Sequence, residues 1–161
     1  MQRPRNLIRA RGQRRFSRPG GTSAALLAAL LALCVGTAET AAEPLLLIVR
    51  ADSPVVSLTR KEIADLYLDR GGMRDKWGEP VIPLDLKDDT LRERFYNEVA
   101  EMSLNRLRAY WSKRVFTGRG RPPAERPSDQ IAASVMQDPH VVAYLPAGQC
   151  PKGVTVLHTT P

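Results

Sequence analysis

The chain has 161 residues and a formal net charge of +7, from 24 basic and 17 acidic side chains. Residues 1–42 hold seven of the arginines and one acid, Glu39, which leaves 17 basic and 16 acidic residues in the remainder. A nucleic-acid-binding surface needs clustered basic charge to displace counterions, so this near-neutral remainder argues against nucleic acid as a partner. Its length is typical of one domain with one core.

The first 42 residues predict a secretory signal peptide. Arginines precede the apolar stretch SAALLAALLALCVG, which is short for a membrane span, and small residues follow it. Cleavage fits after Ala38 or Ala42, and an Arg-Arg pair leaves both the general and the twin-arginine export routes open. A retained membrane anchor and lipidation at Cys34 are the alternatives. We therefore predict a periplasmic protein without a stable membrane span after signal removal, and a folded domain over residues 43–161.

The predicted domain lacks the residue sets that most enzymes and metal sites need. Its one cysteine, Cys150, excludes an internal disulfide, and His140 and His158 are too isolated for a metal site. P-loop, zinc-protease and nucleophile-elbow motifs are missing, and a Ser or Cys nucleophile would have few candidate bases. Three acids, Asp85, Asp88 and Asp89, are closely spaced, but two of them fall at a helix start, where capping and the helix dipole explain them without catalysis. We predict no catalytic residue, no metal and no cofactor.

Strand and helix patterns alternate along this segment and predict an α/β domain. The apolar run PLLLIVRAD at 44–52 predicts a strand covered on both faces. VIPLDL, HVVAYLPAG and GVTVLHT predict three more strands, the last at a sheet edge. Between the first two strands, RGGMRDKWGEP is rich in turn residues, and we expect its Trp77 to cover the core.

Four amphipathic helices are predicted between these strands. The first follows Thr59, which forms a capping box with Glu62, and the second lies in DDTLRERFYNEVAEM after a cap at Asp89 or Thr90. The third follows a cap at Ser103, and the fourth begins at Pro127–Ser128 and buries Ile131 and Val135. One face of the third helix is expected in the core, formed by Leu104, Leu107, Trp111 and Val115.

The segment VFTGRGRPPAERP, residues 115–127, follows the third predicted helix. Its glycines allow a turn that presents backbone N–H groups, and the guanidinium groups of Arg119 and Arg121 can bind an oxyanion. Alternatively, Gly and Pro only end the helix, and the arginines pair with acids such as Glu125 and Asp129. No aromatic residues alternate with the arginines, which again argues against nucleic-acid binding.

Four stretches occur in the order VVSLTRKEIADLYLDRGGMRDKWGEPVIPLDL, LRERFYNEVAEMS, YWSKRVFTGRGRPP and VVAYLPAG. Together they resemble the small periplasmic phosphate-binding-protein-like family, which is similar to one lobe of phosphate ABC-transporter substrate-binding proteins. The resemblance covers about residues 45–157. It implies an α/β fold, a single periplasmic-binding-protein-like lobe with a mixed or mostly parallel sheet flanked by helices.

The resemblance also implies an exported solute-binding-like protein that binds phosphate or a similar oxyanion without catalysis. In the full-length relatives, phosphate lies on backbone amides and a Ser-Gly-Thr segment at a helix start, where free N–H groups attract anions. The matching segment here is KDDTLRERF, with Asp88 and Asp89 in place of neutral residues. Combined with the arginine segment, this gives a predicted anion site of Thr90, Arg92, Thr117, Gly118, Arg119, Gly120 and Arg121.

A second class of function stays open, a periplasmic protein-interaction module that kept the fold and lost the ligand. The carboxylates of Asp88 and Asp89 would repel a phosphate dianion, although one of them can accept a proton from hydrogen phosphate. One lobe also offers only half of the cleft that two-lobed binding proteins close around a ligand. The partner would be a transporter protein, a sensor protein or a second copy of the chain in a homodimer.

Overall fold

A computed structural model of the protein describes residues 42–161, so the predicted signal peptide lies outside the described residues except for its last position. Within this range no helix combines the length and apolar character needed to cross a membrane. The elements in chain order are β1 Leu45–Arg50, α1 Arg60–Tyr67, β2 Ile82–Leu86, α2 Asp89–Ala100, α3 Leu104–Phe116, β3 Ala124–Arg126, α4 Ser128–Gln137, β4 Val141–Pro146, a 3₁₀ turn Ala147–Gln149, and β5 Val154–Thr160.

The strands form one mixed sheet in the order β3-β2-β4-β1-β5. Strand β2 is parallel to β3 and β4, whereas β1 is antiparallel to β4 and β5. This confirms the predicted mixed sheet flanked by helices, and β5 lies at the predicted edge. Strand β3 is absent from the sequence prediction because its three residues, Ala-Glu-Arg, are all exposed and carry no apolar strand pattern.

The core is formed by the buried strands and by the apolar faces of the helices. The predicted inward faces of α1 and α4 are confirmed, since Ile63, Leu66, Tyr67, Ile131 and Val135 are all buried. A group of aromatic rings joins helix α2 to the sheet. The Phe95 ring is stacked on that of Tyr144 with centroids 3.8 Å apart, and Tyr67 meets Phe95 edge-on at 4.8 Å. Such pairs add about 0.5–1.5 kcal/mol each beyond their buried area.

The helix starts follow local capping chemistry. Thr59 and Glu62 form the predicted capping box, and the Ser103 hydroxyl accepts from the Arg106 N–H. For α2, the prediction of Asp89 or Thr90 as the cap is wrong. The cap is Asp88, whose Oδ1 accepts from the Leu91 N–H at 3.0 Å. An aspartate caps at least as well as a threonine, so the helix begins at the first available acid.

Trp77 does not cover the core as predicted, because 62% of it is exposed. Its turn is organised instead by the carboxylate of Asp75, which accepts from the backbone N–H groups of Trp77 at 2.7 Å and Glu79 at 3.0 Å. The same carboxylate lies 2.8 Å from Nδ1 of His140. Polar contacts, and not apolar packing, therefore stabilise this turn.

Helix α3 leaves the core before its last turn. Leu104, Leu107 and Trp111 are buried as predicted. The prediction for Val115 is wrong, since it is 53% exposed, and the next residue, Phe116, is 92% exposed. The helix therefore ends with two adjacent apolar side chains in solvent.

Candidate functional site

The carboxylate of Asp85 is buried inside β2, with 1% of the residue exposed. The Tyr144 hydroxyl donates to its Oδ1, the Tyr96 hydroxyl donates to Oδ2 at 3.0 Å, and Arg92 Nε donates to Oδ2 at 3.1 Å. A buried carboxylate costs free energy unless it is paired and hydrogen-bonded. These contacts supply Asp85 with a paired charge and with hydrogen-bond donors. The cluster joins β2, α2 and β4.

Burial raises the pKa of Asp85 above its ordinary value of 3.8. The hydrogen bond from Tyr144, the charge of Arg92 and the hydrogen bond from Tyr96 act in the opposite direction and are outweighed. Burial, reinforced by the charge of Asp85, also raises the pKa of Tyr96 and Tyr144 well above 10.0. Both phenols therefore stay protonated at neutral pH and act as hydrogen-bond donors.

The raised pKa of Asp85 predicts a specific pH dependence of stability. Between pH 3.8 and the higher folded pKa, the folded chain binds more protons at Asp85 than the unfolded chain does. The contribution of Asp85 to the unfolding free energy therefore falls as pH rises through that window and is constant outside it. We expect the difference in unfolding free energy between the unsubstituted protein and Asp85→Asn to be largest below pH 3.8 and to fall above it, in urea titrations at several pH values. A difference that rises with pH would show that Arg92 outweighs burial.

Arg92 connects this buried cluster to the surface, with 12% of its side chain exposed. Its Nη1 lies 2.9 Å from Glu125 Oε1 in β3 and 3.4 Å from Asp89 Oδ1 at the start of α2. Arg108 of α3 reaches the other oxygen of Asp89 at 2.7 Å. Two arginines thus share three carboxylates. Arg92 and Arg108 also line an open cavity of about 380 Å³, together with Leu107, Trp111, Ser112, Val115, Pro122 and Glu125.

Helix α2 begins at the carboxyl end of β2, where Thr90 lies exposed in the first turn. The carboxyl end of β3 is adjacent, because Leu86 of β2 is in register with Arg126. In open α/β sheets, ligands bind beyond the carboxyl ends of the parallel strands. The carboxylate of Asp88, which caps the helix, accepts from the Leu91 N–H. The helix dipole at this end favours negative charge.

The arginine segment is anchored by Arg114 at the end of α3. Nη2 of Arg114 donates to the carbonyl oxygens of Asp69 at 2.8 Å and Arg119 at 2.6 Å, and it lies 3.2 Å from Asp69 Oδ2. The guanidinium also lies over the rings of Tyr110 and Trp111. These contacts hold the loop against the end of α1.

The remaining loop residues have distinct positions. The Thr117 hydroxyl donates back to Lys113 O at 2.9 Å, and Gly118 and Gly120 have positive φ angles of 66° and 140°. Arg119 is exposed, and Arg121 lines a second cavity of about 350 Å³. Thr117 and Gly118 therefore close the helix, and Gly120 lets the chain turn toward β3.

The seven residues of the predicted anion site lie in two places. Thr90 and Arg92 belong to α2, which begins at the carboxyl end of β2, whereas the segment 117–121 enters β3 from its amino end. Strand β3 starts opposite Leu84, near the middle of β2, so its two ends are about 7 Å apart at about 3.3 Å per residue. Arg92 and Arg121 line different cavities, which share Pro122. The two sets of residues therefore border neighbouring cavities.

The sequence comparisons give no relative, because no protein-family model and no curated protein matches the chain. Solved structures do match. One, described as a phosphate ABC transporter substrate-binding protein with bound phosphate from Clostridium perfringens, has a TM-score of 0.51 and 17% identity, and covers 71% of this chain and 44% of its own. Another, described as an ABC-type phosphate transport receptor from Vibrio cholerae, has a TM-score of 0.44 and 15% identity, and covers 72% of this chain and 46% of its own.

The chain has the fold of one lobe of such a binding protein. It spans less than half of the length of the solved structures that it matches. At this identity the likeness shows the fold alone.

Sequence reasoning missed several residues of the site. Asp85 was noted only as one of three closely spaced acids, although a single acid in the apolar strand VIPLDL was a signal of a buried partnered charge. Tyr96, Tyr144 and Arg108 gave no local signal, since their role depends on contacts between separate elements. Among residues 42–161, no group of three or more His, Cys, Asp or Glu side chains is arranged to hold a metal ion.

Proposed function

We propose that this protein is an exported, non-enzymatic solute-binding-like protein of the phosphate transport type, which binds phosphate or a related oxyanion. The observation that carries the proposal is the fold likeness to a binding protein solved with phosphate. The basic and apolar start of the chain supports export to the periplasm. One lobe supplies half of a cleft, so the proposal includes a second wall from a transporter protein, a sensor protein or a second copy of the chain.

We place the oxyanion at the start of α2, beyond the carboxyl end of β2. The exposed hydroxyl of Thr90, the first-turn amides and the helix dipole favour an anion there. Arg92 and Arg108 supply positive charge close by, but both are paired with Asp89. The proposed ligand is therefore a protonated phosphate, whose O–H group can donate to a carboxylate.

The first test is the thermal midpoint of the purified protein in millimolar phosphate, sulfate or chloride at matched ionic strength. We expect phosphate to raise the midpoint more than the other anions do. A ligand at a hundred times its Kd adds about 2.7 kcal/mol, which corresponds to several degrees for a domain of this size. Equal midpoints in the three anions would contradict oxyanion binding.

Two substitutions locate the site within the same assay. Asp89→Asn removes a carboxylate that neutralises Arg92 and Arg108 without touching the cap, so it should increase the phosphate-specific rise. The double substitution Arg119→Ala with Arg121→Ala should leave the rise unchanged, because these residues lie in the loop before β3 and outside the proposed site at α2. A loss of the rise in the double variant alone would move the oxyanion to the arginine segment.

The second candidate, a protein-interaction module, is favoured by the exposed end of α3. Phe116 is 92% exposed and its neighbour Val115 is 53% exposed, and exposed aromatic side chains are common at contact surfaces. A photo-crosslinking residue at position 116 should then give one discrete product in cells. The same residue at Asn105, exposed on the first turn of α3, is the matched control. Identical product patterns at both positions would count against this function.

A further inference from the structure

A second cavity lies at the amino ends of β2 and β3, apart from the start of α2. It has a volume of about 350 Å³, which is within the range of small-molecule sites. Its walls come from the end of α1, from the turn before β2 and from the loop before β3. They are largely apolar and rich in proline, with Leu66, Met73, Val81, Pro83, Pro122 and Pro123.

The polar groups of this cavity carry a positive balance. Arg74 and Arg121 both line it, and Asp69 is the acid among its lining residues. The Asp69 carboxylate is already paired with Arg114 at 3.2 Å. Arg74 donates from Nη1 to Gly78 O at 2.6 Å, which leaves its other N–H groups available to a ligand. Among residues 42–161, no side chain pairs with the guanidinium of Arg121.

The walls are held in place before any ligand arrives. Arg114 fixes the loop through the carbonyl oxygens of Asp69 and Arg119, and the Val81 N–H donates to Met73 O at 3.0 Å. Prolines in two of the three walls restrict the backbone further. A preformed apolar cavity with a few convergent polar groups is the usual form of a small-molecule site.

We propose that this cavity binds a small carboxylate with a compact apolar body, of which an aromatic carboxylate is the simplest example. The apolar body would lie against Leu66, Val81 and the prolines, and the carboxylate would face Arg121, with Arg74 adding positive charge. A guanidinium offers two parallel N–H donors to a carboxylate, which fixes its orientation. This site does not depend on the oxyanion site at α2.

The probe is benzoate, titrated into the purified protein by calorimetry. Acetate keeps the carboxylate without the apolar body, and benzyl alcohol keeps the ring without the charge. We expect benzoate to bind at least about tenfold more tightly than either, equivalent to about 1.4 kcal/mol. Excess phosphate should leave the benzoate affinity unchanged, so a failure of the oxyanion proposal would not affect this result.

The matched variants are Arg121→Gln and Arg119→Gln, two exposed arginines of one loop, of which only Arg121 lines the cavity. Arg121→Gln should weaken benzoate at least about tenfold, and Arg119→Gln less than about twofold. If Arg121→Gln lowers the Tm, Arg74→Gln replaces it in the comparison. The proposal would be overturned if the substitutions at positions 119 and 121 had equal effects, or if benzyl alcohol bound as tightly as benzoate. It would also be overturned if phosphate competed with benzoate, or if benzoate showed no saturable binding.

Discussion

Replacing Asp85 with alanine should lower the unfolding free energy by about 3–5 kcal/mol, the range for removing one partner of a buried ion pair. The substitution leaves the hydroxyls of Tyr96 and Tyr144 without their acceptor in a buried site. It also removes the most buried of the carboxylates that contact Arg92. An unsatisfied buried polar group costs about 1–3 kcal/mol, so the two phenols contribute much of the loss. Urea unfolding followed by circular dichroism measures it.

Glu125→Ala is the matched control, because Glu125 contacts the same arginine at 2.9 Å from a partly exposed position. We expect it to change the unfolding free energy by less than about 1 kcal/mol, as for other exposed pairs. Asp85→Asn should fall between the two, since an amide oxygen can still accept one phenol. Comparable losses in Asp85→Ala and Glu125→Ala would mean that the buried hydrogen bonds add little.

The cluster around Asp85 also affects the proposed oxyanion site. It fixes the Nε side of Arg92, so that only the outer donors of the guanidinium face Asp89 and Glu125. Without Asp85, the guanidinium of Arg92 would lose its buried anchor and could move away from Asp89 and Glu125. A phosphate-specific stabilisation that survives in Asp85→Asn would show that the α2 start binds the anion without a fixed Arg92.

Much of the fold could be predicted because its signals are local. The Thr59 capping box, the Ser103 cap and the inward faces of α1 and α4 depend on residues that are neighbours in sequence. The same locality explains the small error at α2. Asp88, Asp89 and Thr90 are all acceptable caps, and pattern alone does not decide among three adjacent candidates.

The features that sequence reasoning missed depend on long-range contacts. Strand β3 exists because the three residues before Pro127 pair with β2, although they have no strand pattern themselves. Asp85 and Tyr144 meet through the pairing of β2 with β4 and are 59 positions apart in the chain. Such contacts follow from the order of the strands in the sheet, which composition and periodicity leave open.

The predicted anion site divides for the same reason. Sequence reasoning could name Arg92 and Arg121 as candidates, but their separation depends on β3 running parallel to β2. A parallel partner places the loop before β3 at the amino end of the sheet and the start of α2 at the carboxyl end. An antiparallel β3 would have brought the two sets together. The direction of one undetected three-residue strand therefore sets where the two groups of predicted residues lie relative to each other.

Gly120→Ala should be the most disruptive glycine substitution in the arginine segment, lowering the unfolding free energy by about 2–3 kcal/mol. The φ of Gly120 is 140°, and a residue with a Cβ is strained there by about 1–3 kcal/mol. The added methyl group would also overlap Oδ2 of Asp69 and lie 3.0 Å from Nη2 of Arg114. The backbone of this loop would have to move or the Asp69–Arg114 pair would have to open. Thermal unfolding followed by circular dichroism measures the loss.

Two other glycines separate backbone strain from steric overlap. Gly118 has a φ of 66° with no heavy atom within 4 Å of an added Cβ, so Gly118→Ala reports strain alone, about 1–2 kcal/mol. Gly71 has open space and no positive φ, and Gly71→Ala should be neutral or slightly stabilising. Gly120→Ala should exceed both, and it should also weaken benzoate, because Asp69 and the loop before β3 form part of the second cavity. If Gly120→Ala matched Gly118→Ala in stability and kept full benzoate affinity, the Asp69–Arg114 contact would not be what holds that cavity in shape.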